Sequence, residues 1–271
     1  MALSNLAIRL LTAAVASPII LGVLFFGSPE AWFGLVLCTQ LAAAIEVFDL
    51  THPGDRVSQL TGVLCTGVVS AALFCPEDNT RILISALFIS TAIGALVPLV
   101  RVGDLSTGAL RIMSSMATPV YIGLMFCTLA LIRREAGDEG PGFVLMTLMF
   151  AWLADTGGYT AGRLFGKTKL YPAVSPKKTW EGLGGALMGA LCGALLAHFW
   201  YLPGIPLLPA LLLALCCGLL GQLGDLAESL LKRAVNAKDS GRLVPGHGGL
   251  LDRIDALLLV SPAVYLYLLW R

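Results

Sequence analysis

The sequence predicts an all-α, polytopic integral membrane protein with about nine transmembrane helices and an active site at the cytoplasmic side of its C-terminal helices. Three observations lead there. Only 13% of the 271 residues are charged and 57% are hydrophobic, with a mean hydropathy of +0.83. A soluble domain carries roughly 25% charged residues, and a fold of this size in water still needs a polar shell. Apolar runs of the ~20 residues that cross a bilayer recur along the chain, and the chemistry-bearing charges gather in its C-terminal half.

The runs, in order, cover about 7–27, 31–48, 58–75, 82–100, 112–132, 142–163, 182–201, 207–231 and 250–270. In the first, Arg9 precedes an apolar stretch containing Ala14-Val15-Ala16, the pattern of a cleaved leader. The stretch continues to Phe26, so a retained first span is expected. Ser28-Pro29-Glu30, 51–56, 76–81, 101–104 and 133–141 carry the breakers and charges of the connectors. Two connectors are long and polar, 163–181 and 232–252. The expected organisation is an N-terminal region, 1–105, of about four spans, and a catalytic region, 106–271, of about five.

With nine spans, 14 of the 18 basic residues fall on the N-terminal side of the membrane, which the positive-inside rule makes cytoplasmic. Arg133 and Arg134 lie opposite, beside Glu135, Asp138 and Glu139. Both long polar loops then face the cytoplasm. A net charge of +1 provides no global field for nucleic acid, and no such partner is expected.

The densest polar constellation is Gln222-Leu223-Gly224-Asp225-Leu226-Ala227-Glu228-Ser229-Leu230-Leu231-Lys232-Arg233. Asp225, Glu228, Ser229 and Lys232 follow helical spacing and share one face, opposite Leu226, Leu230 and Leu231. Charge at the end of a span is expensive unless paired, hydrated or metal-bound, and is by default functional. The bland alternative is a helix end emerging into water.

After it come Lys238-Asp239-Ser240-Gly241 and Pro245-Gly246-His247-Gly248-Gly249-Leu250-Leu251-Asp252-Arg253-Ile254-Asp255. Glycines before a helix let backbone N–H groups approach an anion, and phosphate is a natural guest. Asp252 and Asp255 share one face of the first turn; ordinary acidic capping is the competing explanation. Carboxylates beside a phosphate cradle suggest Mg²⁺, a hard cation that prefers oxygen. Asp225 and Asp252 are the best pair of ligands. Asp155, within Trp152-Leu153-Ala154-Asp155-Thr156, is a third carboxylate, expected to be buried and to be either a ligand or the holder of a basic partner.

The other loop contains Ser175-Pro176-Lys177-Lys178-Thr179-Trp180-Glu181-Gly182. Two adjacent lysines with Ser and Thr would clamp a triphosphate or lipid phosphate. Alone, the cluster reads better as a juxtamembrane patch for anionic lipid; a second polar loop on the same side reverses the balance in favour of the clamp. Seven cysteines show no C-x-x-C or zinc spacing and are expected to be small buried hydrophobes. His52 reads as a loop residue and His198 as interfacial, leaving His247 as the histidine of the site.

The 27 residues from Ser229 to Asp255 resemble the signature of the phosphatidate cytidylyltransferase, or CDP-diacylglycerol synthase, family, with Val244 where relatives more often have Leu, Ile or Phe. The Ser175–Gly182 segment and the Asp155 region also look like family features, while the first hundred residues match in hydropathy only. The resemblance implies an inner-membrane enzyme of about nine helices, often a homodimer, requiring Mg²⁺ with a possible second ion, Mg²⁺ or K⁺. It implies conversion of CTP and phosphatidic acid into CDP-diacylglycerol and pyrophosphate. Metal ligation then falls to Asp225 and Asp252, with Asp155 and Asp255 as further candidates. Lys232, Lys238, Asp239 and His247 complete the catalytic set, and Ser175, Lys177, Lys178, Thr179, Glu181, Arg233, Gly246, Gly248, Gly249 and Arg253 the substrate-binding set. Two rivals remain. A CTP-using polyprenol or phytol kinase would transfer the γ-phosphoryl group, and an ion transporter would place charges near the midplane of several helices.

Overall fold

The computed structural model describes residues 5–75, 80–101, 103–241, 243 and 248–271, with side chains described from Thr12 onward except Ala13. The protein is an all-α membrane protein. Among the described residues seven helices are long and apolar enough to cross a bilayer, fewer than the nine expected. The other two expected segments are also helical, α1 (Asn5–Phe26) and α7 (Gly140–Phe165), and α7 is diluted by glycine, threonine, Asp155 and Arg163. The chain divides into two compact units, 1–130 with 235–253, and 131–234 with 254–271.

The first unit contains α2 (Pro29–Thr51), α3 (Arg56–Phe74), α4 (Thr80–Val100) and α5 (Leu105–Thr118). Local signals set the helix starts. Ser28 caps α2 with Pro29 at its first position, and Asp55 and Asp104 cap α3 and α5. Beyond α5 the chain widens into a π-helix over Pro119–Leu124 before α6 (Met125–Glu135), because proline supplies no N–H to the ladder. Apolar surroundings demand that every backbone carbonyl find a donor. Gln40 on α2 meets this demand, its Nε2 donating to the carbonyls of Ile122 and Gly123 at 3.0 and 2.8 Å while its Oε1 accepts from Ser70 at 2.6 Å.

The connector after α2 is an ionic knot. Asp55 receives Arg101 at 3.0 Å and also Arg111, whose guanidinium is nearly buried. His52, expected in a loop, does cap α2 but is fully buried between Thr51 Oγ1 at 2.9 Å and Ser115 Oγ at 3.1 Å. Burial, then the Arg111 charge, pushes its imidazole down from 6.5 to about 4. Burial pushes Asp55 up, but hydrogen bonds from Ser58 and Arg101 outweigh it and hold the carboxyl at about 2, below its usual 3.8. Asp55→Asn leaves Arg111 without its counter-charge and should cost about 1–3 kcal/mol at neutral pH. In thermal unfolding from detergent, the gap between variant and wild type should close as pH falls from 3.8 to about 2, where the wild-type carboxylate protonates. A gap that is constant with pH would reject this account. His52 adds an earlier loss: the unfolded chain binds its proton below 6.5 and the folded one only near 4, so stability declines across that window.

The second unit contains α7, a hairpin of β1 (Lys169–Tyr171) and β2 (Ser175–Thr179), α8 (Trp180–Leu196) with a π-turn over Ala197–Tyr201, α9 (Leu207–Ala234) and α11 (Leu257–Trp270). The short helix α10 (Leu251–Ile254) carries the chain from one unit to the other. α7 and α8 pack backbone to backbone, since a Cβ at Gly157 would strike the Gly185 carbonyl and one at Gly189 the Leu153 carbonyl. His198, half-buried in the π-turn, binds the Ile205 carbonyl at 2.8 Å. Three cysteines depart from the expected burial: Cys38, Cys192 and Cys216 are exposed on spanning helices, while all seven are free thiols. A small, weakly polar thiol is compatible with an apolar surrounding outside the core as well as inside it.

Candidate active site

In the second unit the polar face of α9 is turned inward, not out into water. Glu228 and Lys232 are 3% and 8% exposed, and pair at 3.0 Å one helical turn apart. Asp225, one turn earlier, accepts from Ser229 Oγ at 3.3 Å and holds Lys178 Nζ on its other oxygen at 2.7 Å. Lys178 is further anchored by Gln222, through Oε1 at 2.9 Å and the main-chain carbonyl at 3.3 Å. The helix ends beyond this face at Asn236, which takes a left-handed φ of 54°.

A hairpin inside the first polar loop, which the spacing of the sequence does not predict, delivers Lys178. Pro172 opens its turn, closed by Val174 N–H on the Tyr171 carbonyl at 3.2 Å. β2 pairs antiparallel with β1, Ser175 opposite Tyr171 and Thr179 opposite Lys169. Successive strand residues point to opposite faces. The two lysines expected to clamp together are therefore split: Lys178 turns onto Asp225, and Lys177 is exposed. Thr179 caps α8, accepting from Gly182 N–H at 3.1 Å, and Glu181 accepts from Thr168 N–H at 3.2 Å, which fastens the base of the hairpin. Arg233 donates to the Val174 carbonyl at 3.3 Å and holds the turn.

Asp255 sits against the same face of α9, where Asp225, Lys232 and Lys178 all act on it electrostatically. Its Oδ1 accepts from Ala256 N–H at 2.7 Å. Gly224 makes this approach possible, because a Cβ there would collide with the Asp255 carbonyl. Gly224→Ala should force α9 and the turn at Asp255 apart and lower the thermal midpoint by an amount equivalent to about 1–3 kcal/mol. An unchanged midpoint would show that the contact relaxes freely.

Three carboxylates, Asp225, Glu228 and Asp255, share this face with two ammonium groups, Lys178 and Lys232. Among the described residues no group of three or more His, Cys, Asp or Glu is arranged to hold a metal by itself. Mg²⁺ rarely uses such a cage; it takes one or two carboxylates and completes its shell with water and substrate phosphate. Carboxylate oxygens of this kind, Asp225 and Asp255 beside each other, fit that cation.

The signature loop belongs to the first unit. Asp252 turns its Oδ2 back to Ser240 N–H at 3.1 Å, Ser240 Oγ at 3.0 Å and Gly249 N–H at 3.0 Å, the last just ahead of α10. Leu250 and Leu251 N–H both donate to Glu46 on α2, each at 2.9 Å. Amides expected to cradle phosphate are thus engaged by the protein's own carboxylates. Gly248 takes φ +85°, open to glycine without strain. Lys238, Asp239 and Arg253 are exposed. Gly246 and His247 lie outside the described residues.

Asp155 corrects an expectation. α7 buries Phe143, Thr147, Phe150, Ala151 and Ala154, and helical spacing places Asp155 in an exposed stripe with Trp152, Thr156, Tyr159 and Arg163. Glu46 was missed, although a lone carboxylate in the run Ala42-Ala43-Ala44-Ile45-Glu46-Val47-Phe48 is the kind of intramembrane charge that marks function.

Residues 7–270 match the model of the cytidylyltransferase family. The phosphatidate cytidylyltransferase of Staphylococcus saprophyticus is 33% identical over 269 residues, covering 97% of this chain and 98% of its own. That of Brucella suis is 45% identical over 150 residues, 54% of each chain, and that of Staphylococcus haemolyticus 31% over 268 residues, 97% of this chain and 98% of its own. The chain belongs to the cytidylyltransferase family and is a nucleotidyltransferase of the membrane.

Proposed function

We propose that this enzyme transfers the cytidylyl group of CTP to phosphatidic acid, giving CDP-diacylglycerol and pyrophosphate in phospholipid synthesis. The observation that carries the reading is the Lys178–Asp225 ion pair at 2.7 Å, beside Asp255 on the inward face of α9. Together with the relatives' names and the signature it supports phosphate chemistry at a carboxylate-lined edge of the bilayer.

An oxygen of the lipid phosphate bonds to the α-phosphorus of CTP in line, the bond from that phosphorus to the bridging oxygen breaks, and pyrophosphate leaves with the electron pair. A phosphate monoester is largely dianionic at neutral pH, its second pKa being about 6, so no strong general base is required. What the reaction needs is alignment and charge neutralisation. Lys178 can share its ammonium between Asp225 and an incoming phosphate. Lys177, Lys238 and Arg253, exposed on the polar loops, are the cations we assign to the triphosphate, with His247 as a hydrogen-bonding partner. Asp225 and Asp255 are the groups of the second unit that would hold Mg²⁺. The resemblance adds Asp252 and a second ion, Mg²⁺ or K⁺. When bound, such a cation lowers the charge repulsion between phosphates.

The bacterial inner membrane, with the loops facing the cytoplasm where CTP is found, and a homodimeric assembly complete the proposal. Purified protein given phosphatidic acid, radiolabelled CTP and Mg²⁺ should release pyrophosphate and place cytidine on the lipid. Release of CDP with a phosphorylated lipid would instead identify a kinase.

A further inference from the structure

We propose that Glu46 is a positioning residue for the reaction, the strut on α2 that fixes the signature loop and, through Ser240, the orientation of Asp252; the inference rests on the functional reading above. Glu46 is buried within a predominantly apolar helix, where a carboxylate is tolerated only when several donors serve it. Three do, and all come from the loop: Leu250 N–H at 2.9 Å, Leu251 N–H at 2.9 Å and Ser240 Oγ at 3.0 Å. Nothing about a mere helix start requires a carboxylate from a helix 204 residues earlier in the chain.

The geometry couples two carboxylates through one hydroxyl. Ser240 Oγ lies 3.0 Å from Glu46 Oε2 and 3.0 Å from Asp252 Oδ2, yet a hydroxyl carries a single proton. Donation to one oxygen therefore releases the other. Asp252 Oδ2 also accepts Ser240 N–H and Gly249 N–H, so the plane of its carboxylate is set by the same loop that Glu46 holds. The packing leaves little freedom: a Cβ at Gly241 would strike the Glu46 carboxyl, and one at Gly249 would strike Ser240 Oγ. α2 is a rigid support, with Ala43, Ala44, Val47 and Phe48 all buried around Glu46.

The test uses the full chain in lipid nanodiscs, as wild type, Glu46→Gln and Glu46→Ala. Without added metal, amide hydrogen exchange in the peptide spanning 248–252 should quicken about tenfold or more in both variants, while peptides of α3 and α4 keep wild-type rates. In the cytidylyl-transfer assay kcat should fall by about 10–100-fold with the KM for phosphatidic acid nearly unchanged, the pattern of a lost orienting partner. Wild-type exchange in the 248–252 peptide, or wild-type kcat, would overturn the proposal. If Glu46→Ala unfolds the unit, Ser240→Ala, which keeps Glu46, must quicken the same peptide and lower kcat, and no change there overturns it equally. A wild-type enzyme that moves no cytidine to lipid would sink the functional reading, while the exchange measurement still decides the role of Glu46.

Discussion

Asp225→Ala should lower the rate of cytidylyl transfer by roughly 10³-fold, the equivalent of about 4 kcal/mol of transition-state stabilisation, in a protein that remains folded. In the resting protein the Asp225 carboxylate is an anchor for its neighbours. It anchors Lys178 at 2.7 Å and accepts Ser229 at 3.3 Å, but Lys178 keeps Gln222 as a second anchor when Asp225 is removed. The structural loss is therefore small, and an ion pair whose carboxylate is 35% exposed contributes only modestly to stability. On the proposed role the catalytic loss is large, because no neutral side chain replaces an anionic oxygen that would face a hard cation. Asp225→Asn should be nearly as damaging, since it keeps the shape and loses the charge. Initial rates of pyrophosphate release, measured beside a thermal midpoint for each variant, check this. Near-wild-type turnover in a well-folded Asp225→Ala protein would eliminate the metal assignment.

Lys178→Ala should cost roughly 10²-fold in kcat, and Lys177→Ala, its neighbour in sequence, less than about threefold in kcat, its loss falling instead on the KM for CTP. The contrast follows from strand alternation. Lys178 lies on the inward face of β2 against Asp225 and Gln222, while Lys177 points outward. Arginine should rescue position 178 poorly, because a planar guanidinium cannot reproduce a compact ammonium bound to three oxygens. Groups acting as a unit are not additive. The double variant Lys178→Ala, Asp225→Ala should accordingly be little worse than Asp225→Ala alone. Equal losses at 177 and 178 would refute the division of labour, and additive losses would show that Lys178 and Asp225 act separately.

Much of the architecture was legible because its cause is local. A bilayer sets the length of an apolar run, and helical periodicity gathers Asp225, Glu228, Ser229 and Lys232 on one face; both statements concern residues within a few turns of each other. Locality does not decide the rest. Lys177 and Lys178 looked like one clamp until a hairpin, absent from the hydropathy pattern, separated them by half a period. Asp155 looked buried because its neighbours are apolar, yet which face of α7 meets α8 is set by the close approach at Gly157 and Gly189.

The sequence by itself determined that the chain lives in a membrane, that its last two spans carry a cluster of carboxylates at their adjoining ends, and that Ser229 to Asp255 resembles a family signature. Only the tertiary structure decided what each of those groups holds. Lys178 meets Asp225 across 47 positions, and Glu46 takes the loop amides across more than two hundred. The reason is physical: hydropathy and periodicity report which solvent a residue prefers, whereas a buried charge is stabilised by whichever donors the folded chain brings to it, however distant in sequence.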